Sequence, residues 1–465
     1  MSDANTKPVQ PQKSVRFHQL VRALAKRDGG IPTPERHPTD RLRLVAKNQL
    51  VIQLDQTLPK LQRGSKLLLS GIDVRYAKRK IKRSDVRVSV RRVSHCNPRL
   101  VLLEGDEIHL LTDAELTYSP GTDTPPPTVV SSSANDIGYS PGTDTPPPTV
   151  VSSSGSGTGS TVPIVPASFD AQLRRILAGS AGWRDYPIVA VMDTGIDFAY
   201  PGTATLPIQH NGGHPMCDTV EADYIGWDFV HDQNNPYDDN HNKHGSRIAA
   251  IISQTMNHKV RILPLKVINS QGVGTLFDIF CGFEYLLSNR LPEKPRVINA
   301  SWGFYSTEVN SLLTDYVNRL NDKGMWLINA AGNRGDLSGN APVDLNSDNR
   351  YPACYSSTLF NVLTVTTVRG HASTGYTVVE NFSSAYVNTG VGSGLDDGFN
   401  EPLATGNLPS IIGSSYATPF ASAHAASHYQ PPADVTTRDN LLSSVQQHIV
   451  QLEPKIDHGS LVPVE

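Results

Sequence analysis

Residues 188–195 read IVAVMDTG, an apolar run rich in β-branched side chains that ends at an aspartate and a glycine. Such a run is typical of a strand that is buried on both faces of a sheet. The same pattern occurs four more times, in RILPLKVI (261–268), RVINASWG (296–303), WLINAAGN (326–333) and NVLTVTTV (361–368). The chain therefore has five candidate core strands, most of which lead into small or polar residues.

Segments with helical periodicity separate these strands. They are GSRIAAIISQ (245–254), LFDIFCGFEYLLSN (276–289) and SLLTDYVNRLNDKG (311–324). The alternation predicts an α/β domain over residues 161–465, with a doubly wound and mainly parallel sheet. In such sheets the working side chains lie at the carboxyl ends of the strands. Motifs at those ends are therefore the first candidates for a functional site.

Two different segments precede this domain. Residues 118–133, YSPGTDTPPPTVVSSS, are repeated at 139–154 and followed by GSGTGS, which predicts an extended, solvated linker over 118–160. Residues 15–117 alternate basic and apolar positions, which indicates a small basic domain of α+β or β-rich type. Residues 1–14 are expected to be disordered.

Charge is divided unevenly along the 465 residues. Residues 1–118 contain 23 of the 41 Lys+Arg but only 12 of the 44 Asp+Glu, so the front is basic and the rest is acidic. This asymmetry indicates either an acidic partner, such as nucleic acid, or attraction between the two halves of the chain. The run KRKIKR (78–83) lacks the interleaved aromatics of nucleic-acid-binding modules, which favours a solvated basic face.

Cellular location and redox state can be approached from composition. The sequence has no apolar stretch of the length that a secretory signal or a membrane span needs, so we expect a cytoplasmic protein with no membrane segment, export by another route being left open. The cysteines form no CxxC pair, which predicts free thiols and neither a disulfide framework nor a zinc site. These cysteines are Cys96, Cys217, Cys281 and Cys354. We predict no metal and no cofactor.

Two motifs offer an acid and a base. The motif DTG (193–195) ends the first strand, where the Asp193 carboxylate is buried enough to need a partner such as an imidazole. His244 opens a helical segment after a polar loop, and histidine is the side chain best suited to take and return a proton near neutral pH. His231 and His241 lie nearby, but the three histidines match no standard metal-ligand spacing.

Two further motifs offer a nucleophile and donors for a negatively charged oxygen. GSSYATP (413–419) places Ser415 at the start of a small-residue helix, where backbone N–H groups and the helix dipole favour negative charge. AAGN (330–333) closes a strand, so the Asn333 amide can donate to the same oxygen, and Gly332 lets a substrate approach the backbone. Each motif alone also has a structural explanation, as a turn or a helix cap.

In the order Asp, His, Asn, Ser, the four motifs resemble the subtilisin family, or subtilases, over roughly residues 165–445. The stretches VINASWG (297–303) and NFSSA (381–385) also follow the family order. The resemblance implies a subtilisin-like serine endopeptidase. In such an enzyme Ser415 attacks the scissile carbonyl, His244 carries the proton to the leaving amine, and Asp193 orients the imidazole.

The resemblance also implies where an oxyanion and a substrate would bind. Asn333 and the backbone N–H of Ser415 form the oxyanion hole. An extended polypeptide substrate adds a strand on each side of the cleft. The implied substrate-binding residues are Ser301, Trp302, Gly303, Gly272, Gly274 and Gly332.

The sequence departs from the family pattern at several positions, among them Tyr200, where histidine is common, and Phe420 after Pro419, where histidine is usual. It reads HGS (244–246) and GSS (413–415) where HGT and GTS are usual, and serine keeps the hydroxyl in both cases. We therefore predict an active serine endopeptidase that works through an acyl-enzyme. Residues 15–117 are predicted to be a propeptide or an intramolecular inhibitor. The alternatives are a catalytically silent subtilisin-like scaffold and a basic adaptor that binds protein or nucleic acid.

Overall fold

The structure of the chain is a computed structural model that describes most of residues 183–462 and separate stretches before them. The described residues are 17–21, 34–36, 44–46, 49–54, 63–64, 66–69, 75–76, 79–80, 86–104, 116–118, 171, 173–174, 183–203, 205–307, 309–336, 341–394, 398–400, 410–428, 438, 440 and 447–462. The predicted disordered residues 1–14 and the predicted linker after Tyr118 lie outside them. The basic run 78–83 lies outside them apart from residues 79–80.

The described part of residues 15–117 consists mainly of short strands. They are β1 (Phe17–Val21), β2 (Pro34–Arg36), β3 (Leu44–Ala46), β4 (Gln49–Leu54), β5 (Lys66–Leu69), β6 (Arg75–Tyr76), β7 (Arg79–Lys80), β8 (Val86–Val93) and β9 (Leu100–Glu104), followed by β10 (Leu116–Tyr118). Five of them form an antiparallel sheet in the order β1-β4-β9-β8-β5. This arrangement favours the β-rich alternative for the basic domain.

The second part of the chain contains seventeen further described strands and four described helices. The strands are β11 (Ile188–Asp193), β12 (His214–Pro215), β13 (Ala222–Asp223), β14 (Trp227–Asp228), β15 (Arg261–Lys266), β16 (Val273–Thr275), β17 (Val297–Ala300), β18 (Phe304–Tyr305), β19 (Trp326–Ala330), β20 (Arg350–Tyr351), β21 (Val362–His371), β22 (Gly375–Val378), β23 (Thr389–Gly392), β24 (Phe399–Asn400), β25 (Ser410–Ile411), β26 (Gln447–His448) and β27 (Ser460–Val462). The helices are α1 (His244–Thr255), α2 (Leu276–Leu287), α3 (Ser311–Asp322) and α4 (Ser414–Ser427).

The central sheet runs in the order β14-β15-β11-β17-β19-β21-β23-β27-β26, with β22 beside β21. Neighbouring strands from β14 to β27 pair in parallel, whereas β22 and β26 join in the antiparallel sense. The five strands predicted from the sequence are β15, β11, β17, β19 and β21, which lie side by side. The predicted α/β fold with a mainly parallel sheet is therefore confirmed.

Both faces of the central sheet are covered. Val189 and Val191 of β11 pack in one apolar cluster with residues of α1 and α4. Ala190 and Met192 alternate with them and pack in a second cluster with residues of α2 and α3. Because successive side chains of a strand point to opposite faces, burial on both sides requires the continuous apolar run seen in the sequence. Within the described residues, no helix is long and apolar enough to cross a lipid bilayer.

The N-terminal sheet packs against helix α2. Nη1 of Arg92 donates to Oδ1 of Asp278 at 2.7 Å, and Nδ2 of Asn97 donates to Oε1 of Glu284 at the same distance. Leu100 and other buried residues of this sheet belong to the apolar cluster that contains α2. Part of the charge asymmetry of the sequence is thus met inside the chain, where Arg92 of the basic N-terminal part faces Asp278 of the acidic part.

The expectation of four free thiols is wrong for two of the cysteines. Cys96, which lies between β8 and β9, is disulfide-bonded to Cys217, and their Cα atoms are 4.9 Å apart. The two positions are 121 residues apart, so their pairing depends on how the N-terminal sheet docks and cannot be read from local spacing. Cys281 and Cys354 are free and buried. A disulfide is typical of oxidising compartments, which removes the thiol argument for a cytoplasmic location.

Candidate active site

Strand β11 and helix α1 bring Asp193 and His244 together. Oδ1 of Asp193 lies 2.7 Å from Nδ1 of His244, and both side chains are fully buried. The close approach of the two elements depends on Gly245, because a Cβ atom there would lie only 3.1 Å from the backbone nitrogen of Gly195 and 3.2 Å from that of Thr194. The buried carboxylate thus has the imidazole partner that its position at the strand end requires.

Polar contacts fix the surroundings of this pair. The Thr194 N–H donates to Oδ1 of Asp193 at 2.8 Å. The Ser246 hydroxyl donates to Oδ2 of Asp238 at 2.7 Å and accepts from the Asp197 N–H at 2.9 Å. The hydroxyl retained in the motif HGS therefore has a definite structural use. Burial raises the pKa of Asp238. No motif singles out this residue, because it is one of several acidic residues in a polar loop.

Ser415 lies in the first turn of α4 and is fully buried. Its hydroxyl donates to the carbonyl of Ser301 at 3.3 Å, and the Ser301 hydroxyl donates to the carbonyl of Ser415 at 2.9 Å. The ring of the next residue, Tyr416, packs on the His244 ring with the centroids 5.3 Å apart. The first turns of α1 and α4 therefore meet, which brings Ser415 into the neighbourhood of the Asp193–His244 pair.

Asn333 borders the turn that carries Ser415. Its Oδ1 accepts from the Ser414 N–H at 2.8 Å and from the Ser414 hydroxyl at 3.1 Å, so the Nδ2 end of the amide is turned away from Ser414. The Ser414 hydroxyl also accepts from the Gly332 N–H at 3.0 Å. Ser414 thus ties the serine turn to the AAGN motif. The sequence identified it only as a replacement for threonine, because the contact joins residues 82 positions apart.

The predicted substrate edges lie on two sides of this region. Ser301, after β17, contacts Ser415 directly, whereas the Trp302 side chain is fully buried, so only its backbone is available to an extended chain. On the other side, Gly274 of β16 forms a bridge with Ile268, whose N–H donates to the Asp193 carbonyl at 3.2 Å. Both predicted edges are therefore connected to the candidate site through the backbone.

A segment of the N-terminal part occupies one of these edges. Strand β10 pairs with β16 in the antiparallel sense. The register sets Leu116, Thr117 and Tyr118 opposite Thr275, Gly274 and Val273, in that order. The chain thus places an extended strand of its own on the backbone that the resemblance assigns to a substrate.

A second histidine and aspartate pair lies outside this arrangement. Nδ1 of His231 is 2.7 Å from Oδ2 of Asp228, and the His231 N–H donates to the same carboxylate at 2.9 Å. His231 and His244 are thus engaged with different carboxylates, on β14 and β11. The geometry gives no support to the three-histidine metal site considered from the sequence.

Comparison with known proteins identifies a family and several relatives of this chain. The family model described as "Subtilase family" matches residues 185–452, which is more than half of the chain. Subtilisin-like protease 1 of Plasmodium vivax is 25% identical over 263 residues, which are 51% of this chain and 40% of that protein. Thermitase of Thermoactinomyces vulgaris is 28% identical over 180 residues, 37% of this chain and 52% of that protein.

Solved structures of similar proteins include a cold adapted subtilisin-like serine proteinase, at 22% identity and a TM-score of 0.40, covering 59% of this chain and 87% of that one. A lanthipeptide protease is 18% identical with a TM-score of 0.42, over 63% of this chain and 92% of that one. The chain spans 40% and 52% of the lengths of the two sequence relatives above. The assignment follows from the family model, which extends from before Asp193 to beyond Ser415: the chain belongs to the subtilase family.

Proposed function

We propose that the chain is a serine endopeptidase that hydrolyses peptide bonds with Asp193, His244 and Ser415. The observation that carries this proposal is the 2.7 Å contact between the buried Asp193 carboxylate and the buried His244 imidazole. The helix start that bears Ser415 lies next to this pair. A serine beside an imidazole that a carboxylate orients is the arrangement that activates a hydroxyl for attack on a carbonyl.

In this mechanism the Ser415 hydroxyl exchanges its hydrogen bond to the Ser301 carbonyl for one to Nε2 of His244. Oγ then attacks the carbonyl carbon of the scissile bond while Nε2 takes the proton. The Asp193 carboxylate accepts from Nδ1–H, which selects this tautomer and stabilises the imidazolium that forms. His244 gives the proton to the leaving amine, and a water molecule repeats the sequence to release the acyl group from Ser415.

Two donors stabilise the oxyanion in this proposal. They are the Nδ2 amide of Asn333 and the backbone N–H of Ser415, which lies at the positive end of helix α4. The contact between Ser414 and Oδ1 of Asn333 orients the amide before the reaction begins. A donor that is already in place needs no reorganisation when negative charge develops, which is why such groups contribute strongly to the rate.

Residues 15–117 are proposed to inhibit the same site within the chain. A substrate that adds a strand to β16 has to displace β10 first. The N-terminal sheet is held in place by the contact of Arg92 with Asp278 and by the disulfide between Cys96 and Cys217. Because Arg92 faces an acidic residue of the same chain, these contacts favour an internal partner for the basic part over nucleic acid.

Active-site labelling tests the proposed activity. A fluorophosphonate probe reacts with an activated serine, so wild type is expected to be labelled and Ser415→Ala is not. Ser427→Ala is a matched control, since Ser427 lies exposed at the other end of the same helix and should leave labelling unchanged. Each protein is measured intact and after a specific cut in the linker followed by reduction, which together remove the covalent links between the N-terminal part and the rest of the chain. If wild type is unlabelled both intact and after the cut and reduction, the proposal is contradicted. A catalytically silent scaffold is then the remaining interpretation.

A further inference from the structure

A buried guanidinium lies behind the candidate cleft. Arg350, in β20, is 0% exposed, and its Nη1 donates to the carbonyl of Ala330 at 2.6 Å. Within the described part of the chain, Nε and Nη2 of Arg350 have no hydrogen-bond partner. A buried charged group with unsatisfied donors is strongly disfavoured, so its presence calls for a partner that arrives from elsewhere.

Two glycines lie directly against this guanidinium. A Cβ atom on Gly303 would lie 2.5 Å from Cζ of Arg350, and one on Gly332 would lie 2.7 Å from Nε. Side chains at these positions would therefore collide with the guanidinium. Gly303 and Gly332 belong to the two backbone segments that flank Ser415 and Asn333, so the positive charge sits directly behind both segments.

The nearest carboxylate does not satisfy the guanidinium. Oδ2 of Asp336 is 3.8 Å from Nε of Arg350, which is too long for a hydrogen bond. The same oxygen already accepts from the Asn333 N–H at 3.0 Å and from the Tyr305 hydroxyl at 2.9 Å. Asp336 therefore offsets part of the charge of Arg350 but leaves its two donors unused.

The two unused donors have a geometry that fits one kind of group. Nε and Nη2 lie on the same edge of a guanidinium, and two parallel N–H bonds on one edge match the two oxygens of a carboxylate. An amide oxygen could accept from these donors but would leave the positive charge uncompensated, and a cationic side chain would add a second positive charge. The unpaired edge of Arg350 thus selects for an acidic group by both charge and shape.

The position of the Nε–Nη2 edge of Arg350 relative to Ser415 and Asn333 indicates which substrate residue it would contact. Ser415 contacts the Ser301 carbonyl, two residues before Gly303, and Ser414 contacts the Gly332 N–H, one residue before Asn333. In the proposed peptidase, a carbonyl held between Ser415 and Asn333 would carry its side chain on the adjacent Cα, close to the two glycines that lie against Arg350. That side chain belongs to the residue on the N-terminal side of the scissile bond.

We propose that Arg350 is a specificity-determining residue that selects peptides with Asp or Glu immediately before the scissile bond. The carboxylate of that substrate residue pairs with Nε and Nη2 of Arg350 and completes the hydrogen bonding of the buried guanidinium. This inference rests on the proposed peptidase activity.

The test uses the full chain, activated by a cut in the linker and reduction, with fluorogenic peptides that differ only in the residue before the bond. Glu and Gln have the same shape, so their comparison isolates the charge. Wild type is expected to show a kcat/KM for Glu that exceeds that for Gln by about tenfold to a hundredfold, the range for hydrogen bonds to charged groups. Arg350→Gln should remove this preference, and Arg350→Glu should prefer Lys over Glu. Arg290→Gln, at an exposed arginine, is the matched control and should behave as wild type.

Labelling by the fluorophosphonate probe distinguishes failure of the role of Arg350 from failure of the proposed peptidase activity. Wild type that is labelled but cleaves the Gln or Leu peptide as well as the Glu peptide overturns the role of Arg350 and leaves the peptidase proposal intact. Wild type that is neither labelled nor active on any peptide overturns both. Arg350→Lys keeps the charge but loses the paired edge, so it should retain labelling and part of the Glu preference. If Arg350→Lys is labelled and matches Arg350→Gln in every peptide, the charge has no role and the proposal fails.

Discussion

Nδ1 of His244 and Oδ1 of Asp193 are 2.7 Å apart, and both side chains are fully shielded from solvent. Nδ1 of His231 and Oδ2 of Asp228 are equally close, but the His231 side chain is 19% exposed. A hydrogen bond to a carboxylate is stronger where water is excluded, because the local dielectric is lower. The two pairs therefore allow the effect of a carboxylate on an imidazole to be compared at the candidate site and away from it.

Asp193→Asn is expected to lower kcat by on the order of 10⁴ with little change in KM, as the equivalent replacement does in a well-studied serine protease triad. The asparagine leaves the imidazole in the wrong tautomer and removes the charge that stabilises the imidazolium. Steady-state kinetics on a peptide substrate measure the change. Asp228→Asn is the matched control and should keep kcat near that of wild type. Equal losses in the two variants would indicate a general structural effect.

Asn333→Ala is expected to lower kcat by about 10² to 10³, which is the loss known for one oxyanion donor in subtilisin. The variant removes Nδ2 and also the Oδ1 contact with Ser414, so Ser414→Ala is measured beside it. Ser414→Ala should lower kcat less than Asn333→Ala does, since it removes the contact that positions the amide and leaves the Nδ2 donor of Asn333 in place. A kcat for Asn333→Ala that equals that of wild type would exclude the amide from the oxyanion hole.

Cys217→Ser is expected to lower the free energy of unfolding by about 5 kcal/mol, the chain-entropy value for a closed loop of 121 residues. Urea denaturation followed by fluorescence measures the difference. Adding a reductant should lower the stability of wild type by a similar amount and leave Cys217→Ser unchanged. A variant as stable as wild type, or one that responds to the reductant, would show that Cys96 and Cys217 are not paired in solution.

Native alkylation should label neither Cys281 nor Cys354. Burial raises the pKa of each thiol to about 12, so the reactive thiolate is scarce at pH 8 and both sulfur atoms are shielded. Mass spectrometry after iodoacetamide treatment is expected to show no label in the native protein. Two labels should appear in denaturant without reductant, and four after reduction. Four labels in denaturant without reductant would contradict the disulfide.

Arg92→Glu is expected to raise the kcat/KM of linker-cut, reduced protein on an external peptide. The reversed charge would face Asp278, and loss of one partner from a buried ion pair weakens an interface by about 3 kcal/mol. Arg99→Glu, in the loop between β8 and β9, makes the same charge change as a control. If Arg92→Glu leaves the activity at the wild-type level while Arg99→Glu raises it, the docking seen at α2 does not restrain the enzyme.

The sequence was sufficient for the parallel sheet because five apolar runs with polar ends repeat along the chain, as in β11 and β19. It also identified Asp193, His244, Asn333 and Ser415 as candidates, since each lies in a short motif at a strand or helix end, and their catalytic roles stay predictions. The pairing of Cys96 with Cys217 could not be predicted, because it depends on how one sheet docks on another part of the chain. Arg350 could not be selected either, since its burial and its unused donors are properties of packing with no local sequence signal.

The strand β10 and its partner β16 belong to one molecule, so β10 competes for that edge at a high effective concentration. Attachment within one chain gives effective concentrations in the millimolar range, roughly, so an external peptide at micromolar concentration is at a disadvantage of about a thousandfold. We therefore expect the first bond cut by the proposed enzyme to be one of its own, in a first-order event. Dilution should leave the half-time of self-processing unchanged, whereas turnover of external peptides begins only after the tether is broken.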